Sequence, residues 1–589
     1  MSQDPCLFEN AIEGHPGFEA ITTRELQMIR IMEAITDKPG WEMKVFDDNI
    51  VNKWRAELAA MGNPPTTKMV DWIMEELRFK ANMYNEIDMV YVYDGDIVKS
   101  DTMVPKSLQA SLKAAVAPLE NVPDEDKDYH PGTNNQVLDL VHPSLFPLVY
   151  GKTRVIADGC LTVQDGIKRA GEGEIVEWAG PYPEDSESSF FSQTFQWLPC
   201  DVAFVPVKRK ADTDHQKSGD LAPNGVRCKI SSYINNLHPD DHGDLYSIIE
   251  QLISLSVPLW NLTLSGLKAE IRSKRIEYDT VTYDPDPDTM PNSMKPPRMK
   301  GEHENEYWGR LHRWEKEIRK LVLPEPGEFT PRPVISKYHF LGDYKGKPSM
   351  VPEEHIVDLY ADYKESGIQV IVKLANIHLT PDNPTYPGGS WHVEGQLNER
   401  ICATALYYYD SENITESRLA FRRQINEEWE QNISYPQEHR SWLKEVFGLR
   451  DGGPMVQEVG SVVCKEGRLL TFPNTFQHKV MPFSLQDATK PGHRKIVALF
   501  LVDPNLRVRS TADVPAQRRD WWERVLSIDD ILVGLPQELK DQVEDELEGF
   551  MMSMDEAKQL RLKLMEERSR FVTHHTSSIE AFEFSLCEH

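Results

Sequence analysis

The chain has 589 residues, which is enough for about four domains of average size or for one large domain with insertions. Its 94 acidic and 65 basic residues give a formal net charge of −29, and such a surface repels phosphate groups. We therefore expect neither nucleic acid nor an anionic membrane as a partner. With 40% hydrophobic and 27% charged residues, the composition excludes a disordered or collagen-like chain.

The seven cysteines are spread along the whole chain and never form a C-x-x-C pair. This pattern is typical of reduced thiols in a cytosol-like compartment rather than of a disulfide framework or a zinc ribbon. The first residues lack the basic and apolar segments of a secretion signal, and no apolar run reaches the roughly 18 residues that a membrane crossing needs. We expect a cytoplasmic protein, and the sequence leaves its oligomeric state open.

The N-terminal part is predicted to be helical. Helices are expected over residues 22 or 23 to 35, 47 or 48 to 61 and 66 or 67 to 83, where apolar residues recur three and four positions apart behind a Thr or Asp cap. Short β-branched and aromatic runs at 175–178, 195–205 and 226–233 predict the first strands. A helix should follow over 244–267, and the acidic, proline-rich stretch 284–297 should be an exposed loop.

The clearest β-strand signals lie between residues 334 and 504. Strands are predicted over 334–340, 367–379, 401–409, 460–464, 469–472, 479–483 and 495–502. Short strands at this density favour a β-sandwich or a barrel of the jelly-roll type. Residues 416–447 are predicted to be a helical insertion, and further helices are expected over 520–532, 536–550 and 554–571.

These elements predict an α+β protein with a jelly-roll core and large helical additions at both ends. We expect a helical N-terminal region at 1–145, a jelly-roll domain with helical insertions at 146–515, and a helical C-terminal extension at 516–589.

His392 and Glu394 form an H-x-E triplet in a glycine-rich turn between predicted strands, and His478 follows at the edge of a later strand. Along an extended segment, residues i and i+2 point to the same side, so His392 and Glu394 can bind one ion while Val393 packs the other way. Two histidines and one carboxylate on one face, with open positions opposite, form the facial triad of non-haem Fe(II) oxygenases. We therefore predict a metal site at His392, Glu394 and His478.

Arg494 precedes the run 495–502, which has no charge after its first residue and is predicted to be a buried strand. A guanidinium at the start of such a strand needs a partner, because an unpaired buried charge is costly. A carboxylate cosubstrate held by two parallel hydrogen bonds would supply one. A structural ion pair with an acidic side chain, or exposure at the strand end, is the alternative.

Other polar residues near these segments are less informative. Three of them lie on predicted strands that flank the triad, and the sequence does not fix which faces a pocket: Lys373, Asn376 and Thr404. His493 should point away from the side that the following arginine faces. The H-x-D triplets at His238 and His242 lie in a polar loop before a helix and are interpreted as structural.

The order His392-x-Glu394, His478, Arg494 on a predicted jelly roll resembles the iron- and 2-oxoglutarate-dependent dioxygenases, in the variant whose carboxylate ligand is Glu. Longer stretches resemble a fungal family of large proteins of unknown function, over roughly residues 80 to 570. The stretches that carry this second resemblance are LVHPSLFPLVY at 140–150, SSYINNLHP at 231–239, PGGSWHVEG at 387–395, YYYDSEN at 407–413 and MDEAK at 554–558.

The resemblance to the dioxygenases implies a double-stranded β-helix that binds Fe(II) through His392, Glu394 and His478. It also implies 2-oxoglutarate as cosubstrate, with its distal carboxylate on Arg494, and O2 as the oxidant of a small organic or amino-acid-like substrate. One departure is Ile496, since the family often has Ser or Thr at that position. Two alternatives remain open, namely a catalytically silent jelly-roll scaffold and a cupin-like metal-dependent oxidase that does not use 2-oxoglutarate.

Overall fold

The computed structural model describes residues 7–13, 18–93, 96–157, 160–178, 180, 190–206, 226–269, 274–335, 349–426, 429–436, 439–526, 536 and 550–586. The α-helices in these residues are α1 (Thr23–Thr36), α2 (Trp41–Lys44), α3 (Asp48–Ala59), α4 (Thr67–Ile87), α5 (Lys106–Glu120), α6 (Val163–Lys168), α7 (Gly243–Lys268), α8 (Glu304–Ile318), α9 (Leu359–Tyr363), α10 (Ser441–Phe447), α11 (Arg519–Leu526) and α12 (Met554–Glu580).

The strands are β1 (Val90–Val92), β2 (Ile97–Ser100), β3 (Val137–Val141), β4 (Leu148–Val149), β5 (Arg154–Val155), β6 (Glu174–Ile175), β7 (Phe195–Gln196), β8 (Cys200–Pro206), β9 (Val226–Ile230), β10 (Ile368–Leu379), β11 (Thr385–Tyr386), β12 (Ile401–Glu412), β13 (Arg418–Gln424), β14 (Val456–Val463), β15 (Leu469–Pro473), β16 (Gln477–Val480), β17 (Phe483–Ser484) and β18 (Gly492–Val502). The protein is therefore a mixed helical and β structure, as predicted.

The predicted N-terminal helices are confirmed as α1, α3 and α4, and each begins at the expected cap. The side chains of Thr22, Asp47 and Thr66 accept hydrogen bonds from backbone N–H groups in the first turn of these helices. Such caps satisfy donors that have no partner inside the helix. The helix predicted over 244–267 is confirmed as α7.

A nine-stranded antiparallel sheet forms the centre of the molecule, in the order β1-β2-β15-β12-β18-β10-β8-β9, with β3 also paired to β10. Helix α7 contacts β2, β9, β12 and β15 on one face of this sheet. Val370, Val372 and Leu374 of β10 share a core with α7, whereas Ile371 belongs to a second core on the opposite face. The alternation therefore gives the sheet one face against α7 and another toward the candidate site.

A smaller sheet, in the order β14-β13-β16, lies opposite, and the pair β11-β17 accompanies it. The prediction of a helical insertion over 416–447 is wrong at its start, because Arg418–Gln424 is strand β13 and only Ser441–Phe447 forms an α-helix. The strand was not predicted because Arg422 and Arg423 are buried at positions that usually carry apolar side chains, so the sequence lacks a strand pattern there. Arg422 is compensated by hydrogen bonds to Gln477 and Glu580.

The strands predicted at 367–379, 401–409, 469–472 and 495–502 are confirmed as β10, β12, β15 and β18, and that at 460–464 matches the end of β14. The strand predicted at 479–483 is divided between β16 and β17. Residues 336–340 and 537–549, in a predicted strand and a predicted helix, lie outside the described residues. The domain boundaries at 145 and 515 stay predictions, although β1, β2 and β3 from the first region join the large sheet.

None of the helices within the described residues has the length and apolar character that crossing a bilayer demands.

A buried ionic cluster joins the N-terminal helices to the large sheet. Arg468, which precedes β15 and is 0% exposed, donates to Asp37 at 2.6 Å and to Asp101 at 2.7 and 2.9 Å. Lys99 of β2 donates to the same Asp37 at 2.7 Å and to Glu33 of α1 at 2.8 Å. Burial raises the pKa of Asp37, but Lys99 and Arg468 outweigh it, so the net pKa is lowered and Asp37 stays ionised.

Replacing Arg468 by Met should lower the free energy of unfolding by about 3 kcal/mol, because Asp101 would lose its main partner and Asp37 one of its two partners in a largely buried cluster. Urea denaturation followed by circular dichroism measures this change. The matched control is Arg570→Met, since Arg570 and its partner Glu566 are 73% and 67% exposed and an exposed pair contributes less than about 1 kcal/mol. Equal losses in the two variants would contradict the assignment.

Candidate metal centre

His392 and His478 lie opposite each other on neighbouring extended segments. The N–H of His392 donates to the carbonyl of His478 at 3.2 Å, and the N–H of His478 donates back at 2.9 Å. Strand β13 pairs with the other side of β16, with Phe421 opposite His478. Directly opposed residues of an antiparallel pair project to the same face, so both imidazoles point the same way.

The structure brings three of the predicted site residues together. The His478 Nε2 lies 3.2 Å and the His392 Nε2 3.8 Å from Glu394 Oε1. The two imidazole rings are 4.4 Å apart, and the three potential ligand atoms all lie within 4.8 Å of one another. Ligand bonds to a transition metal are close to 2 Å, so small side-chain rotations would close this group around one cation.

The backbone at Glu394 is held by Asn474. Glu394 N–H donates to Asn474 Oδ1 at 2.9 Å, and Asn474 Nδ2 donates to the carbonyls of Glu394 at 2.9 Å and Ile401 at 3.1 Å. Val393 packs in the opposite direction, in an apolar cluster with Leu397. The i, i+2 geometry predicted for the triplet is therefore present.

The hydrogen bonds of His392 fix a ligand-competent tautomer. Its Nδ1 lies 2.9 Å from the carbonyl oxygen of Ser390, which only accepts, so Nδ1 carries the proton. The Nε2 lone pair of His392 is thus free for a metal. His478 Nδ1 has no partner among the residues that the structure describes. The tautomer of His478 therefore depends on the contact of its Nε2 with Glu394 Oε1.

Electrostatics favour the ligand forms of two of these groups at neutral pH. Burial and the adjacent His478 lower the pKa of His392 to about 4, so its imidazole is neutral. Burial raises the pKa of Glu394, but the hydrogen bond from His478 and the positive charges nearby outweigh it and lower the pKa to about 2. Glu394 is therefore a carboxylate.

Access to the three side chains is graded. The side chain of His392 is 33% exposed, that of Glu394 14%, and that of His478 5%. One edge of the group is therefore open while the other is enclosed, as a centre that admits an external ligand requires. Trp391 borders this edge and is covered by the cations of Arg422 and Lys479, 4.8 and 4.3 Å from its ring.

Arg494 is buried at the start of β18 on the face that looks toward the smaller sheet. Its Nη1 donates to Ser417 Oγ at 2.7 Å, and its guanidinium lies 5.7 and 5.3 Å from the rings of Tyr408 and Phe483. Within the described residues no carboxylate lies within 4.0 Å of this guanidinium, so the structural ion pair considered as an alternative is not found there. His493 faces the other way and lies 3.0 Å from Asp410, as predicted.

The other flanking residues divide between the two faces of the sheet. Asn376 bonds Glu120 on the face away from the triad. Thr404 is buried, and its hydroxyl has no partner among the described residues. Lys373 lies close enough to His392 and Glu394 to act on both electrostatically.

A second group of potential ligands, missed in the sequence, consists of His130, Asp139 and His142. His130 Nδ1 lies 2.8 Å from Asp139 Oδ2, and His142 Nδ1 accepts a hydrogen bond from the Ser144 N–H at 3.1 Å. In a neutral imidazole this acceptor role puts the proton of His142 on Nε2, which removes the lone pair that a metal would need. Of the two groups, only the one at His392 therefore contains a histidine whose Nδ1 donates to a backbone carbonyl and leaves the Nε2 lone pair free. The signal that could have found it is the apolar run VLDLV at 137–141, which contains Asp139 and is followed directly by His142.

A groove of about 800 Å³ lies elsewhere, between helices α1, α3 and α4, and is lined by Arg24, Trp54 and Met69 among others. It shares no lining residue with either histidine group among the described residues. Its lining mixes hydrocarbon with surface charge, and we assign it no role in the chemistry.

Comparison with known families identifies the chain. Residues 67–525 match the model of a protein family of unknown function, DUF4246, and residues 1–57 match the N-terminal domain of unknown function of that family. The protein therefore belongs to the DUF4246 family. No curated protein matches it.

Several solved structures are distantly similar. They include the "Fe(II)/(alpha)ketoglutarate-dependent dioxygenase TqaL" (17% identity, 24% of this chain and 44% of that one, TM-score 0.15). Others are "IDO from Bacillus thuringiensis" (11%, 27% and 63%, 0.14) and "EvdO2 from Micromonospora carbonacea var. aurantiaca complexed with 2-oxoglutarate" (8%, 23% and 52%, 0.12). The matched segment spans less than two thirds of each of these chains, and at such TM-scores the matches carry no argument about this site.

The two histidine groups make a direct test possible. Wild-type protein should bind one equivalent of Fe(II) under anaerobic conditions, and His392→Ala or His478→Ala should lower the affinity by more than the roughly 10–100-fold typical of a residue that only supports a ligand. His142→Ala should keep the full equivalent, because His142 is not a member of the group formed by His392, Glu394 and His478. Metal content after gel filtration measures the result, with circular dichroism as the check on folding. Equal metal loss in His142→Ala and His392→Ala would contradict the assignment.

Proposed function

We propose that this protein is a non-haem Fe(II)- and 2-oxoglutarate-dependent dioxygenase that hydroxylates or oxidises a small organic or amino-acid-like molecule. The observation that carries the proposal is the convergence of His392, Glu394 and His478, with the proton of His392 held on the ring nitrogen that faces away from the centre. Two imidazoles and one carboxylate on one face are the donor set that suits Fe(II) with open positions opposite.

The connection of the strands supports a double-stranded β-helix as the scaffold. From β10 to β18 the chain passes repeatedly between the large sheet, which contains β10, β12, β15 and β18, and the smaller strands opposite. The ligands come from segments next to β11 and in β16, and Arg494 comes from β18, so the proposed site lies between the two layers. Jelly-roll proteins hold ligands in this position.

When bound there, iron would activate O2, and 2-oxoglutarate would supply two electrons by its oxidative decarboxylation to succinate and CO2, one oxygen atom entering succinate and the other the substrate. The residues of the chain would bind and orient the cation and the cosubstrate. His392, Glu394 and His478 would occupy one face of the cation, and Arg494 would hold the distal carboxylate of the cosubstrate.

The surroundings of Arg494 support this role. A buried guanidinium without a carboxylate partner is costly, and an incoming carboxylate removes that cost. Ile496 cannot provide a hydroxyl group, but Ser417 Oγ accepts from Arg494 Nη1 at 2.7 Å and retains its own proton. Ser417 can therefore donate to a carboxylate that Arg494 binds, and it would take the part usually played by a hydroxyl two residues after the arginine.

Purified protein supplied with Fe(II), ascorbate and 2-oxoglutarate should form succinate above the background without protein, and His392→Ala and His478→Ala should remove this activity. Nuclear magnetic resonance of the reaction mixture measures succinate directly. A cupin-like oxidase would bind metal without consuming 2-oxoglutarate, and a silent scaffold would bind neither, so metal content and succinate together separate the three readings.

Arg494→Met should raise the dissociation constant for 2-oxoglutarate by roughly 10–100-fold, because a charge-assisted bidentate contact is lost. Titration of Co(II)-loaded protein, followed by its visible spectrum, reports this binding without turnover. Arg570→Met is the control, since it removes one exposed positive charge from α12. Unchanged 2-oxoglutarate binding in Arg494→Met would refute the role given to this arginine.

A further inference from the structure

Lys373 lies on the inner face of the large sheet and has no ion-pair partner among the described residues. It lies in the middle of β10 opposite Ala498 of β18, and its strand neighbours Val372 and Leu374 pack toward α7, so its own side chain projects to the face of the triad. Among the described residues, no acceptor lies within hydrogen-bond distance of its ammonium group and no carboxylate within 4.0 Å. Lys373 is partly buried, and in a chain with a net charge of −29 such a lysine without an ion pair is an exception.

A β-bulge brings two further groups to the same face. Strand β3 pairs Asp139 with Ala375 and Val141 with Leu374, so Leu140 is inserted without an opposite residue. Asp139 and His142 therefore both project to the face that carries Lys373, which a regular strand would not allow for positions three apart. The pairing ends at Val141 and Leu374, and His142 and Lys373 are the next residues beyond that last pair.

His142 presents a donor toward this region. Because its Nδ1 accepts from the Ser144 N–H, its Nε2 carries the proton, and this N–H has no acceptor among the described residues. His142 is only 4% exposed, and burial keeps its pKa well below the ordinary value, so it is a neutral donor. Lys373 and His142 thus place two donors on the same face, close enough to interact electrostatically, and neither has an acceptor among the described residues.

The nearby carboxylates of Asp139 and Glu394 form no ion pair with Lys373, although Asp139 Oδ1 is buried without a hydrogen-bond partner among the described residues. Asp139 Oδ2 takes the hydrogen bond from His130, and Arg561 lies 4.0 Å from the same oxygen while binding Asp128 through both of its terminal nitrogens. Glu394 accepts a hydrogen bond from His478, and its negative charge would be neutralised by a bound metal ion. Both carboxylates interact with the charge of Lys373 at a distance, but neither lies within 4.0 Å of its ammonium group.

We propose that Lys373 and His142 bind a carboxylate group of the substrate, beside the metal-ligand triad, so that the enzyme acts on an organic acid. This inference rests on the proposed function, because it names the substrate class of that same site. The cosubstrate is the other possible source of a carboxylate. However, Lys373 is four residues along β10 from Ile377, which pairs with Arg494, and this separates the two strand positions by about 13 Å.

Binding of paired probes tests the proposal. Butyrate, hexanoate, benzoate and phenylacetate, each compared with its primary amide, are titrated calorimetrically into metal-free and into Co(II)- and 2-oxoglutarate-loaded protein. At least one acid should bind roughly 10-fold or more tightly than its amide. Lys373→Met should abolish this preference, Lys373→Arg should keep part of it, and His142→Phe should reduce it.

Two controls separate local from general effects. Lys490→Met removes the same charge from an exposed position, where Lys490 is 72% exposed beside Asp487, and should leave the preference intact. The thermal unfolding midpoint of each variant shows whether it is folded, and Lys373→Arg covers the case in which Lys373→Met does not fold. The dissociation constant for 2-oxoglutarate should change by less than about 3-fold in Lys373→Met. If Lys373 bound the cosubstrate, the loss of that charge-assisted contact would raise this constant by more.

Three outcomes would overturn the proposal: no acid preferred over its amide, a preference that Lys373→Met and Lys373→Arg both keep in full, or a loss of 2-oxoglutarate binding in Lys373→Met as large as that in Arg494→Met. The last outcome would assign Lys373 to the cosubstrate. Failure of the proposed function looks different, since wild-type protein would then bind neither Fe(II) nor 2-oxoglutarate, and the metal-free titrations would still report on Lys373.

Discussion

The candidate centre depends on one backbone contact, the pair of hydrogen bonds exchanged between His392 and His478. That contact sets the register between the glycine-rich segment before His392 and strand β16. Since side chains alternate along extended chains, a slip of one residue would turn one imidazole away from the other. With the register fixed, Glu394 follows two positions later on the same side. One local pairing therefore determines the placement of three side chains that come from two distant parts of the sequence.

Strand β13 stabilises this register from the other side. It is the central strand of the small sheet and pairs with β14 and β16, while the other side of β16 is bridged by His392 at His478. Phe421 of β13 and Phe472 of β15 enclose the His478 ring, with centroids at 6.4 and 4.8 Å. A polar residue of β13 also contributes, because the buried Arg422 donates a hydrogen bond to the side chain of Gln477, the residue before His478. Strand β13 thus provides apolar contacts to the His478 ring and backbone hydrogen bonds to strand β16.

The features that the sequence predicted well are those that depend only on residues close together in the chain. Helix caps at Thr22, Asp47 and Thr66 act within one turn, and the i, i+2 relation of His392 and Glu394 needs only an extended backbone. Strand β13 was missed because its buried arginines are compensated by partners far away, which no local pattern reveals. The direction of Lys373 was likewise undetermined, since it follows from pairing with β18. Asp139 and His142 share a face only through a bulge that exists relative to β10, so their pattern cannot be recognised before the partner strand is known.

The N-terminal region contributes more than helices to this molecule. Strand β2 pairs with β15, and β1 continues the sheet beyond it. Excision of residues 146–515 as a separate fragment would leave β15 with an unsatisfied row of backbone donors and acceptors, next to the buried hydrophobic residues Leu469 and Leu470. Such an edge templates association with a second chain. Self-association of the fragment would then be expected from its architecture alone, and a fragment of this protein that keeps the large sheet complete would have to begin before residue 90.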